Sequence, residues 1–144
     1  MRYLQMLNLR NAQKFSVWPG GSILDHHSQW QTYFWFTKQK YLEIGNDITI
    51  CEIGMGPGYS SAMFLVATTS GDWKNGGTLH QFDNGFDSWS MYGPRKRTAF
   101  PWLKETFGTE RIKFHIGDSS TKIKEFHTKN PNTKCDIIHI GKKL

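Results

Sequence analysis

The sequence has 144 residues, 38% hydrophobic and 21% charged, with a formal net charge of +6. That length fits one domain whose core removes roughly two-thirds of the unfolded surface from water. No apolar stretch approaches the ~20 residues that cross a bilayer, and the basic excess is diffuse, without the charged helix face or zinc-finger spacing of a nucleic-acid module.

The first residues, Met1 to Arg10, alternate apolar and polar and lack the continuous apolar block of a secretory signal. The aromatic run from Trp30 to Phe36 predicts a helix packed on the domain, with an aromatic ligand wall as the alternative. Ser28 is placed to cap that helix, and Gly45-Asn46 end it. The segment from Ile48 to Ile53 is short, apolar and β-branched, as a buried strand requires. A glycine-rich loop follows at once, then a helix over Ser60 to Ala67, with Gly71 as its stop and Asn75-Gly76-Gly77 as a turn.

Thr78 to Phe82 predicts a second strand, ending in Asp83. Thr98 is expected to cap a short helix through Trp102, Leu103 and Phe107, with Pro101 in its first turn, where proline is tolerated. Ile112 to Ile116 predicts a third strand, running into Gly117-Asp118-Ser119. A helix over Ser120 to Lys129 and a last strand over Asp136 to Ile140 complete the pattern. Strands that alternate with helices imply an α/β fold, a Rossmann-like parallel sheet with helices on both faces. Cys51 and Cys135 form no disulfide framework or zinc spacing. Both lie in apolar runs and read as buried thiols, which favours a reducing, cytoplasmic setting.

Ligands of parallel sheets bind beyond the carboxyl ends of the strands. The loop Glu52-Ile53-Gly54-Met55-Gly56-Pro57-Gly58 lies there. Gly54 permits a tight turn, Gly56 allows close backbone approach, and Gly58 opens the next helix. The third glycine comes one place too early for the dinucleotide fingerprint, because Tyr59 fills that position. An NAD-dependent oxidoreductase is therefore a lesser alternative, as is a basic nucleic-acid-binding module. No Lys-Ser/Thr pair follows, so the loop is no P-loop. Instead an acid, Glu52, precedes the glycines. A carboxylate there suits the ammonium and sulfonium of S-adenosylmethionine (SAM) better than a pyrophosphate. Asp83 is positioned for ribose hydroxyls, and Asp118 with Ser119 for the adenine amine. For each acid a helix N-cap is the competing reading.

The stretch from Ile50 to Ser60 resembles motif I of class I SAM-dependent methyltransferases. Phe114 to Ser119 and Cys135 to Ile140 are similar to the methyltransferase-24 type domain. The resemblance covers about residues 46–141. It implies cofactor contacts at Glu52, Gly54, Met55, Gly56, Gly58, Asp83, Asp118 and Ser119. It also implies methyl transfer from SAM to the oxygen of a small-molecule acceptor. On this reading residues 1–45 are a helical or irregular extension, and residues 46–144 are a partial SAM-binding domain, truncated after about four strands. The family pattern continues its last strand into an acid, where this chain has Gly141. No catalytic residue is identified, and a non-catalytic SAM-binding fragment or pseudoenzyme is the first alternative. No metal ligand set is assigned: His26-His27 read as a solvated loop, and His139 as a packed strand residue.

Overall fold

A computed structural model describes residues 27–56, 58–84 and 93–141. The expectations for Met1 to Arg10 and His26 lie outside the described residues, as does that for the side chain of His27.

The elements run α1 (His27–Ile44), β1 (Thr49–Ile53), α2 (Tyr59–Ala67), β2 (Thr69–Ser70), β3 (Asp72–Gly76), β4 (Thr78–Asp83), α3 (Gly93–Phe107), β5 (Ile112–Ile116), α4 (Ser119–Lys129) and β6 (Ile137–Ile140). A four-stranded parallel sheet has the order β5-β4-β1-β6. The chain therefore builds outward from β1 through β4 to β5, then returns to add β6 on the other side. The topological switch falls between β1 and β6. No helix among the described residues is long and apolar enough to cross a membrane.

Helices cover both faces, as the alternation predicted. On one face Ile50, Leu79, Ile112 and Ile137 join a core with Met63 and Leu65 of α2 and Leu103 and Phe107 of α3. Helix α2 is buried from Ser60 to Ala67, because it lies between the sheet and α1. Helix α1 turns Trp30, Thr37 and Tyr41 inward, while Trp35, Phe36 and Leu42 face solvent. Its aromatic run is thus a packed helix, and it takes no part in the ligand cleft described below. Ser28 lies within α1, where its carbonyl accepts from the Thr32 hydroxyl.

On the opposite face, Cys51 and Phe82 pack with Phe126 of α4. A histidine pair lies here too: His80 Nδ1 and His115 Nε2 are 3.0 Å apart, with Phe126 against both rings. Burial, then His115 and Lys113, push the His80 pKa down to about 4. His115 is also lowered, first by burial and then by Lys122 and Lys129. An unfolded histidine protonates near pH ~6.5, so the unfolded chain takes up protons that the folded pair refuses. The stability from this pair is full above that pH and is lost as pH falls toward 4. The melting temperature is expected to drop between roughly pH 7 and 5, and His80→Phe should flatten that slope. Thermal melts across the range check this; a level wild-type profile would contradict it.

Three expectations are corrected. Cys51 and Cys135 are joined in a disulfide rather than held as thiols; the segment that leads into β6 packs Cys135 on the sheet face that carries Cys51, bringing together two sulfurs 84 residues apart. Helix α3 begins at Gly93 rather than at a Thr98 cap, and Pro101 sits inside it. A proline there removes one backbone donor, while the burial of Phe100, Leu103 and Phe107 holds the helix on the sheet. Gly71 does not stop α2, which ends at Ala67; it turns the β2–β3 hairpin, and Gly76 closes β3. That hairpin has a polar sequence and escaped the periodicity. It is fastened by Arg111, which is 2% exposed. Arg111 donates to the carbonyls of Gly77, Leu65 and Trp73 and to the hydroxyls of Thr68 and Thr69. Burial brings its pKa down to about 10.

Candidate functional site

The loop after β1 is built on positive backbone angles: φ is +82° at Gly54, +53° at Gly56 and +90° at Gly58. Side chains rarely adopt this region, so glycine is the residue that fits. At Gly54 there is a second reason. A Cβ there would lie 2.6 Å from the carbonyl oxygen of Gly141, and one on Gly141 would lie 2.7 Å from the carbonyl of Gly54. The two chain segments touch backbone to backbone at the topological switch. The Gly141 amide also donates to the Ile53 carbonyl at 2.8 Å, and the Gly54 amide to Phe82 at 2.9 Å.

Beyond these strand ends opens a cleft of about 560 Å³. Ile53 and Gly54 line it from β1, Asp83 and Asn84 from β4, Gly117 to Ser119 from β5, and Ile140 and Gly141 from β6. That volume is in the range of small-molecule sites, and the place is where open parallel sheets bind ligands. Among the described residues the cleft is lined by two carboxylates, Asp83 and Asp118, and by no basic side chain. In a chain of net charge +6, this is a local reversal of sign. It suits a cationic ligand with hydroxyl or amino donors and disfavours a pyrophosphate.

The structure brings Gly54, Asp83, Asp118 and Ser119 together at the cleft. Glu52, Met55, Gly56 and Gly58 do not line it. Asp83 lies 7% exposed and accepts from the Met55 amide at 2.7 Å, so it also fixes the glycine loop to β4. Asp118 caps α4, accepting from the Thr121 amide at 3.3 Å and from the Ser120 hydroxyl at 2.6 Å. These two bonds, the hydroxyl first, hold its carboxyl below the usual carboxylate range. Asp118 therefore combines both readings of the sequence, helix cap and cleft wall.

Glu52 is fully buried on the α1–α2 side of the sheet. Its two oxygens accept from the hydroxyls of Ser60 and Ser61, in the first turn of α2. Gln81 Nε2 lies 3.4 Å away and His139 Nδ1 3.2 Å away. Gln81, Glu52 and His139 occupy one register row across β4, β1 and β6. His139 is packed, as expected of a strand residue, against Phe64 and Tyr33. It also completes this polar row, which sequence reasoning missed. Gly58 is the N-cap of α2 in a left-handed conformation, and its amide bonds to the Met55 carbonyl.

Ile53, Phe82, Asn84, Gly117, Ile140 and Gly141 also line the cleft and were not anticipated as site residues. Their signal is position, within one residue of a strand end. Among the described residues, no group of three or more His, Cys, Asp or Glu side chains is placed to hold a metal ion. No protein-family model matches the chain, and no curated protein matches it.

Proposed function

We propose that the cleft binds SAM and that the protein is a SAM-dependent methyltransferase acting on an oxygen of a small-molecule acceptor. One observation carries the reading: a cleft at the topological switch whose lining, among the described residues, includes Gly54 of the positive-φ glycine loop and the carboxylates of Asp83 and Asp118 and holds no basic side chain. SAM supplies an electrophilic methyl group on a sulfonium centre. Asp83 accepts hydrogen bonds from the ribose hydroxyls, and Asp118 and Ser119 engage the adenine edge. The backbone of Gly54 admits the ligand closely. Glu52 is a positioning residue: with Ser60 and Ser61 it fixes where α2 starts and thus where the loop ends. Catalysis rests on holding acceptor and methyl in line, a large effect when two reactants are oriented.

A non-catalytic SAM-binding protein is the second reading. It is favoured by the end of β6, which among the described residues offers Ile140 and Gly141 to the cleft and no acid or base. Titration calorimetry with SAM, S-adenosylhomocysteine and NAD separates the possibilities. Heat with the first two and none with NAD is the expected result. Binding of NAD alone, or of none of them, would sink the SAM assignment. Transfer of a radiolabelled methyl group to a panel of hydroxylated acceptors then decides between enzyme and binder.

A further inference from the structure

Among the described residues, strand β6 pairs with β1 alone, at the sheet edge. One face is held by Ile137 in the core and by His139, which packs on Phe64 and Tyr33 and bonds to Glu52. On the other face Ile138 and Ile140 are each 64% exposed, and no described helix packs over them. Burial therefore secures β6 from one face only. Its start is tied to β1 by three bonds in one place. The Asp136 amide donates to the Thr49 carbonyl at 2.8 Å, the Thr49 amide donates to the Asp136 carboxylate at 2.8 Å, and Cys135 is bonded to Cys51. The far end of the same strand forms a wall of the cleft through Ile140 and Gly141.

We propose that the Cys51–Cys135 disulfide is a redox latch whose reduction by a dithiol releases β6 from the sheet edge and takes down that wall of the cleft. The two sulfurs differ in access: Cys51 is 5% exposed, whereas Cys135 is half-buried on the exposed segment that follows α4. A reductant thiolate attacks the Cys135 sulfur, and the Cys51 sulfur leaves with the bonding pair and takes a proton. The second thiol of the reductant then attacks the mixed disulfide and frees Cys135 as a thiol. Two electrons pass to the protein, and the dithiol becomes a disulfide. Reoxidation reverses both steps. The bond closes a ring of 84 residues, so cutting it returns much chain entropy to any state in which β6 is detached. In a reducing compartment, disulfides are of this cycling kind. The loss of ligand binding on reduction rests on the cleft being the SAM site; the release of β6 does not.

Hydrogen exchange on the full chain, without ligand, tests the latch. The oxidised protein, the protein reduced with dithiothreitol, and Cys51→Ala/Cys135→Ala should be compared. Amides of Asp136 and Gly141, which bond to β1, are expected to exchange about tenfold faster or more after reduction, while those of β4 and β5 keep their protection. Reoxidation should restore the slow rates in the wild type and leave the double variant fast. Equal exchange of β6 in both states would overturn the latch. So would uniform loss of protection across the sheet, which would make the bond a global staple, and so would two free thiols in protein isolated without reductant. A calorimetric arm with SAM stands apart: no binding to the oxidised protein defeats the cleft reading and leaves the exchange result intact.

Discussion

Glu52→Ala is expected to cost about 2–4 kcal/mol of folding stability, because it leaves several buried hydrogen-bonding groups without their shared acceptor. The change strips the shared acceptor from two serine hydroxyls, a glutamine amide and a histidine ring, in a place that water does not reach. An orphaned buried donor costs about 1–3 kcal/mol, and the serine hydroxyls can recover part of that by rotating to the carbonyls of their own helix. The melting temperature should fall by roughly 10 °C or more for a chain of this size. Glu52→Gln keeps the shape and one acceptor oxygen, so its loss should be clearly smaller. Denaturant unfolding of both variants checks the order. Equal stability of Glu52→Ala and wild type would show that the network contributes nothing.

Gly54→Ala should cost about 2–4 kcal/mol, near the upper end of single substitutions. Two effects add. An alanine in the left-handed region is strained by about 1–2 kcal/mol, and the new Cβ meets the Gly141 carbonyl oxygen at 2.6 Å. That oxygen belongs to the backbone and cannot rotate away, so β6 and Gly54 must separate. Gly56→Ala is the internal control. It shares a positive φ of +53° but has nothing within 4 Å of its Cβ, so it should show the strain alone. On the proposed reading Gly54→Ala also weakens SAM binding, because it moves two lining residues of the cleft. Similar stability losses for the two variants would mean that the contact between Gly54 and Gly141 gives way freely.

The strands of the main sheet were legible to within a residue or two, because buried parallel strands are short β-branched runs and four such runs stand out here. The glycine loop was legible because its backbone angles demand glycine. What the sequence hid depends on pairing between distant segments. Ser60 and Ser61 stand close to Glu52 in the chain, but Gln81 and His139 reach it only through the registers of β4 and β6 on β1. The disulfide depends on how the segment before β6 packs on the sheet face of Cys51, for which the spacing of Cys51 and Cys135 offers no cue. Asp118 was legible as both helix cap and cleft residue, because a strand end that becomes a helix start makes the two positions coincide. The early start of α3 went unread because Pro101 looked like a boundary, although Pro94 also stands in the helix, in the first turn where proline is at ease.

Arg111 precedes β5 and the cleft follows it, so the buried guanidinium and the ligand groups lie at opposite ends of the parallel strands. Its five acceptors tie the end of α2, the hairpin and the start of β4 into one anchored base. Asn84, Ser119 and Ile140 at the mouth stand a strand's length from the foundation that keeps the sheet assembled. For protein engineering, this chain separates the residues that can be varied from those that have to be left alone by the length of a strand.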